Sequence, residues 1–403
     1  MRQSGFSRRR AVIAAALLTS AIAAPAAWAS DQKAYDPGAS DSEIRIGHST
    51  AYSGPVSMLG STGRTLKAFF DRVNASGGIN GREVTIISLD DGYSPPKALE
   101  QARRLVESEG VLMVFGVTGT PPNVAIHKYL NGKKVPQVGV ASGSPRFNDP
   151  EHYPWTMPFY PSSRIEQETY ARYIAKADKN AKIGVLYAND DYGKESLEAL
   201  RHALGAHGKA VHRAVSYETT DALVDTQILN LKDSGATVLV TIASPKFAAL
   251  AMRKVQETGW KPLQIMTSAG NAAVPLLRAA GSNAANGVIT ASYVKAPDDP
   301  ALATDPDVIA YRDFMQKWNP QDNANDLYPV TAYLNAALLK YILERAGDNL
   351  TRANIMKIVG DIQSTRFPMH QTSIVVKTSP DNFDAYKTLA LQKFNGNSWE
   401  STQ

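Results

Sequence analysis

The chain has no cysteine among its 403 residues. That excludes disulfides and thiolate metal sites, and leaves stability to packing alone. Neither G-x-x-x-x-G-K-[ST] nor G-x-G-x-x-G occurs, so the loops that cradle nucleotide phosphates are absent. The nucleophile elbow G-x-S-x-G is missing too; Gly139-Val140-Ala141-Ser142-Gly143 sets its serine one position late. His202, His207 and His212 recur every five residues and invite a metal reading. Five residues turn a helix by about 500°, so the first two would not share a face, and the third falls in the following strand. These read as surface histidines, and neither a metal nor another cofactor is expected. Asp90-Asp91 could work as paired acid and base at a strand end, but reads better as loop capping or as polar lining of a cleft. No catalytic constellation emerges, so an enzyme is not expected.

The N-terminus is informative. Residues 1–29 run from a basic start (Arg2, Arg8, Arg9, Arg10) through an apolar stretch from Ala11 to Ala24 to Ala27-Trp28-Ala29. This is the layout of a cleaved secretory signal, and the apolar run is short for a membrane span. Ser7-Arg8-Arg9 before a mild apolar core permits twin-arginine as well as Sec export, and a periplasmic protein is expected. The chain carries 43 Lys and Arg against 38 Asp and Glu; with the four arginines of residues 1–29 set aside, the balance is 39 against 38. The basicity belongs to the export segment, and nothing argues for nucleic acid as a partner.

The remaining residues exceed what one core usually organises. After a polar leader, expected to be flexible over residues 30–40, strands and helices alternate. Strand Ile44–His48, helix Leu59–Val73, strand Glu83–Leu89, helix Pro95–Glu109, strand Val111–Phe115, helix Pro121–Tyr129 and strand Val135–Val140 form one series. Pro145–Ser162 reads as a crossover. A second series runs from helix Ser163–Ala177 to strand Gly287–Ala291, and helices Pro306–Trp318, Val330–Ala346 and Thr351–Gly360 must pack back. The fold class is α/β, with two doubly wound lobes, each on its own parallel sheet.

Such sheets bind ligands at the carboxyl ends of their strands. Thr118-Gly119-Thr120 before Pro121-Pro122 follows one strand, with Thr120 suited to an N-cap and Pro121 to the first helical position. Ala141-Ser142-Gly143 follows the next strand. Ser244 before Pro245, and Tyr192 within Asn189–Gly193, occupy the same kind of place in the second lobe. The converging picture is a cleft for a small polar, anionic molecule.

Ile46–Gly54 with Gly60, then Asn74–Gly81 (N-x-x-G-G-I-x-G) in register with Asp90-Asp91, and Asn189–Gly193, resemble the branched-chain amino-acid (leucine/isoleucine/valine) binding proteins of bacterial ABC importers. The resemblance implies the periplasmic-binding-protein fold: two lobes, three crossovers, and a ligand enclosed by hinge motion. Lobe 1 is placed at 41–160 with 293–366 returning to it, and lobe 2 at 161–292 with 367–403. The carboxylate-holding loops then fall on Thr118–Thr120 and Ala141–Gly143, the stacking tyrosine on Tyr192 and an aromatic lid near Tyr328. Where the family's amino-acid binders carry a glutamate for the ligand ammonium, this chain has Ala269. A buried ammonium without a counter-charge is costly, so a plain amino acid would need Asp190 or Asp191 instead.

The chain also resembles the branch of that family that takes aromatic and other organic acids, with a tail among Phe159, Tyr160, Tyr192 and Tyr328. The implied role is delivery of a carboxylate-bearing compound to a membrane permease by a monomer. Amino-acid transport and a ligand sensor presenting its closed form to a receptor are the alternatives.

Overall fold

In a computed structural model of the chain, residues 33–402 are described, apart from 272 and 280. The expected export segment, residues 1–29, lies outside them. Of the leader expected to be flexible, Ala34–Tyr35 (β1) pairs with Asn349–Leu350, and the Asp36 carboxylate accepts the Arg352 amide at 2.7 Å. From residue 33 the leader is therefore tied down, because its backbone has a strand to pair with.

The first lobe is built on β2 (Glu43–Thr50), β3 (Glu83–Asp90), β4 (Met113–Phe115), β5 (Gln137–Val140) and β6 (Thr156–Pro158), all parallel in the order β3-β2-β4-β5-β6. Helices α1 (Gly60–Ala75), α2 (Pro95–Arg103) and α3 (Thr120–Gly132) connect them. The expected helix to Glu109 gives way to a π turn over Arg104–Ser108. Alternation explains β2: Ile44 and Ile46 are buried on one face. On α1, Leu66, Phe69, Phe70 and Val73 face the core, while Lys67 and Asp71 pair outside at 2.8 Å.

The second lobe is entered through α4 (Ser163–Ala177). Its strands are β7 (Ile183–Ala188), β8 (Val211–Tyr217), β9 (Val238–Ile242), β10 (Leu263–Met266) and β11 (Ile289–Ser292). Helices α5 (Asp191–Ala206), α6 (Asp225–Asp233), α7 (Pro245–Glu257) and α8 (Ala273–Ala279) lie between them. The chain then returns to the first lobe as α9 (Pro306–Trp318), α10 (Leu327–Ala346), β12 (Asn349–Leu350) and α11 (Arg352–Val359). It ends on β13 (Ala390–Phe394) and β14 (Trp399–Ser401), antiparallel strands that complete the order β14-β13-β11-β10-β9-β7-β8.

Each lobe has one face packed by the helices of its returning or entering segment. Leu66 and Phe69 of α1 share a core with Leu334 and Leu338 of α10, and Tyr170 and Ile174 of α4 share one with Leu197 and Leu200 of α5. The expected assignment of 367–403 to the second lobe is corrected in part. Phe367, Met369, Ile374, Val376, Phe383 and Tyr386 all lie in the first lobe's core, so the last crossing comes just before Ala390. The cause is aromatic packing: Phe367 and Tyr386 both meet the ring of Phe159, at 5.7 and 5.5 Å between centroids. The chain thus passes between the sheets three times. In both, the strand order reverses between two neighbours, β2/β4 and β7/β9, which marks the switch points.

Candidate ligand-binding site

The two switch points face a common cleft with about 1160 Å³ of empty space, its open mouth included. On the first lobe, the turns after β4 and β5 are stitched together. The Gly119 amide donates to the Ala141 carbonyl and the Ala141 amide to the Val117 carbonyl, each at 3.1 Å. Asn123, buried one turn into α3, donates its side-chain amide to the Val117 and Gly119 carbonyls at 2.8 Å. The amides of Thr118, Thr120, Ser142 and Gly143 donate to no group among the described residues. They are free to face an anion. Pro121 and Pro122 remove two of the donors at the start of α3, so its positive end offers chiefly the Thr120 amide.

Thr120 is not the N-cap expected from sequence. Gly119 caps α3 with φ of 96°, a conformation that side chains rarely adopt, and Thr120 is the first helical residue. Its hydroxyl is thereby released to meet the Ser142 hydroxyl at 2.7 Å. Asp90 and Asp91 cap the turn after β3 and stay outside the cleft. Asp90 accepts the Tyr52 and Gly92 amides, and Lys97 at 2.8 Å, which hold its pKa well below the ordinary carboxylate value against the burial that raises it. Asp91 accepts the Tyr93 amide at 2.8 Å, which fixes Tyr93 at φ of 61° and turns its ring to the cleft.

The second lobe contributes a wall of tyrosines. The Tyr192 hydroxyl meets Thr267 at 2.8 Å, and Tyr217 accepts the Ser244 amide at 3.3 Å. Within the cleft, two hydrogen bonds join the lobes among the described residues. The Tyr160 hydroxyl meets Ser268 at 3.0 Å, and Tyr328 on α10 donates to the Ala269 carbonyl at 3.5 Å. Burial raises the pKa of all four phenols, so they act as neutral hydrogen-bonding groups. Asp190, the N-cap of α5, accepts the Gly193 amide at 2.9 Å and is the one acidic side chain among the described residues that line the cleft; burial raises its pKa. Among the described residues no lysine or arginine lines it.

A model of the family described as periplasmic binding protein matches residues 43–372. The chain belongs to that family. This periplasmic binding protein is 24% identical over 262 residues to the Leu/Ile/Val-binding protein homolog 8 of Brucella abortus (strain 2308). The match covers 63% of this chain and 65% of that one, so it spans less than two thirds of the relative's length. Among solved structures, it resembles a branched chain amino acid ABC transporter protein from Thermus thermophilus with bound valine. The TM-score is 0.81 at 16% identity, covering 90% of this chain and 95% of the other. A fatty acid ABC transporter substrate-binding protein from Thermomonospora curvata superposes with a TM-score of 0.78 at 19% identity, covering 93% and 95%. At these identities the likeness is one of fold.

Of the residues singled out in the sequence, Thr118, Gly119, Thr120, Ala141, Ser142 and Gly143 line the cleft from the first lobe. Tyr160, Tyr192, Ser244, Ala269 and Tyr328 line it too. Phe159 does not. It is 1% exposed and packs on Phe367 and Tyr386 just past the end of β6, while its neighbour Tyr160 turns to the cleft. Two of the recurring histidines have separate partners: His207 meets Glu168, and His212 meets the Ser234 carbonyl, both at 2.9 Å. Tyr93, Tyr217 and His48 line the cleft without having been singled out. His48 had a signal in the sequence, since it continues the inward-facing series Ile44, Ile46.

Proposed function

We propose that this protein is the exported solute-binding component of an ABC importer. In this reading it encloses a small carboxylate-bearing compound, an aromatic or other organic acid, between its lobes and delivers it to the membrane permease. The observation that carries the reading is the cradle of four unpartnered amides, Thr118, Thr120, Ser142 and Gly143, opposite Tyr192, Tyr217 and Tyr328. Amides and a helix end compensate a carboxylate without a cation, and the tyrosine rings suit a flat apolar body. Ala269 leaves the loop after β10 without an acid, which supports an acid over an amino acid as ligand. The valine and fatty acid named for the two similar structures share only the carboxylate, the group that this cradle suits.

Asp190 favours a second reading. A lone carboxylate beside Tyr93 and Tyr217 could pair with an ammonium, which would make the ligand an amino acid. Thermal unfolding separates the two readings, with leucine, phenylalanine, benzoate, 4-hydroxybenzoate, p-coumarate and short aliphatic acids as probes. A ligand at 100 times its Kd adds about 2.7 kcal/mol, a rise of a few degrees. Stabilisation by aromatic acids, retained in Asp190→Asn, is the expected result. Stabilisation by leucine or phenylalanine, lost in Asp190→Asn, would overturn it in favour of the amino acid.

A further inference from the structure

Deep in the first lobe, the cleft continues beneath α1 and α10. Leu59, Leu66, Phe115 and Ala332 line it there together with the polar side chains of His48, Thr62, Thr331 and Asn335. His48 is 1% exposed. Its Nδ1 lies 2.9 Å from the Phe115 carbonyl oxygen. A carbonyl only accepts, so Nδ1 carries the proton and Nε2 is left with its lone pair. That atom is buried and has no partner among the described residues. Burial also lowers the pKa of the ring to about 4, so the imidazole stays neutral over the working pH range.

A buried acceptor on a residue lining a ligand cleft selects for a donor. We propose that His48 is a specificity-determining residue, whose Nε2 accepts a hydrogen bond from a hydroxyl or N–H of the solute. The inference rests on the reading of this cleft as the solute site. A carboxylate would be repelled by the same lone pair, which keeps that group at the amides of Ser142 and Gly143. The solute is therefore bifunctional, with an anionic acceptor end at the cradle and a neutral donor directed to β2. A solute lacking the donor leaves Nε2 unpaired on closure, a loss of roughly ten- to a hundredfold in affinity.

The test is calorimetric titration of benzoate against its 2-, 3- and 4-hydroxy derivatives, cinnamate against p-coumarate, and phenylalanine against tyrosine. Each is run on the unaltered protein, on His48→Phe, which keeps a ring but has no acceptor, and on His48→Gln, which restores one. The expected result is a hydroxylated member bound at least tenfold tighter, a preference reduced to within about threefold in His48→Phe and partly regained in His48→Gln. Should His48→Phe fail to fold, the imidazole 15N shifts of the unaltered protein decide, since Nε2 must move upfield when the hydroxylated member binds. Acids that bind without preference, or with one unmoved by His48→Phe, would overturn the role of His48 and leave the proposed function standing. A His48-dependent preference in the amino-acid pair alone would do the reverse. No binding of any probe at millimolar concentration would overturn both.

Discussion

Gly119→Ala should damage both the fold and the cradle, and the size of the effect can be worked from two features. Gly119 has φ of 96° and ψ of 151°, and an alanine held there costs about 1–3 kcal/mol. The added Cβ would also stand 2.3 Å from Cε2 of Tyr93. Tyr93 cannot simply swing away, because the Asp91 carboxylate pins its amide at 2.8 Å and its ring is packed, partly buried, at the wall of the cleft. Forcing that side chain off its rotamer adds about 0.5–1.5 kcal/mol. The sum is roughly 1.5–4.5 kcal/mol, to be read as a lower urea midpoint at unchanged slope. A double-mutant cycle isolates the steric part. In a Tyr93→Ala background the clash disappears and the backbone strain remains, so the two changes should couple by about 1 kcal/mol. A Gly119→Ala protein within 0.5 kcal/mol of the parent would refute the argument from strain. Strict additivity with Tyr93→Ala would refute the argument from contact.

Two further outcomes follow from buried charge. Burial lowers the pKa of His48 to about 4, of His127 to about 4 and of His370 to about 3, from the usual 6.5. Between pH 6.5 and those values the unfolded chain binds protons that the folded one refuses, so stability should fall as pH drops through this window. For His48 alone the loss approaches about 3 kcal/mol, at 1.36 kcal/mol per unit. Burial raises the carboxyls of Glu166 and Asp190, which act with the opposite sign. A flat urea-unfolding profile from pH 7 to 4.5 would count against neutral buried histidines, and His127→Phe should lose less than the parent. Lys295, 3% exposed, holds Asp305 at 2.7 Å and Asp307 at 2.8 Å where the chain re-enters the first lobe. Lys295→Met leaves both carboxylates without that partner and should cost about 2–4 kcal/mol in thermal or urea unfolding; a cost below 1 kcal/mol would show the cluster to be solvent-screened.

The layers of the fold were legible because period and punctuation agree along most of the chain. Strand β9 is a run of buried Val, Leu and Ile, and α7 opens on Ser244-Pro245, so composition and cap point the same way. What escaped were short elements whose stability is tertiary. Thr156–Pro158 is three residues ending on a proline, a weak strand by propensity, yet it forms the edge of the first sheet beside β5. Residues 367–386 carry no strand or helix period at all. Their place in the first lobe is set by Phe367, His370 and Tyr386 packing around Phe159, which no local pattern announces.

The site divides along the same line. Loops rich in glycine, serine and threonine at strand ends announce themselves, and so Thr118 to Thr120 and Ala141 to Gly143 could be found from spacing. Which aromatic and polar side chains reach the cleft depends on direction, which one backbone dihedral or one strand register decides. Tyr93 enters because an aspartate two residues earlier turns the chain into the left-handed region; Phe159 leaves because its neighbour Tyr160 takes the inward place. His48 is the informative intermediate. A histidine on the inward face of a strand that otherwise buries isoleucine must either be satisfied within the core or serve a ligand. Its Nδ1 is satisfied by Phe115 and its Nε2 is not. A polar residue in an apolar register therefore deserves the same scrutiny as a glycine-rich loop, because burying an acceptor without a partner costs stability that only a bound donor can return.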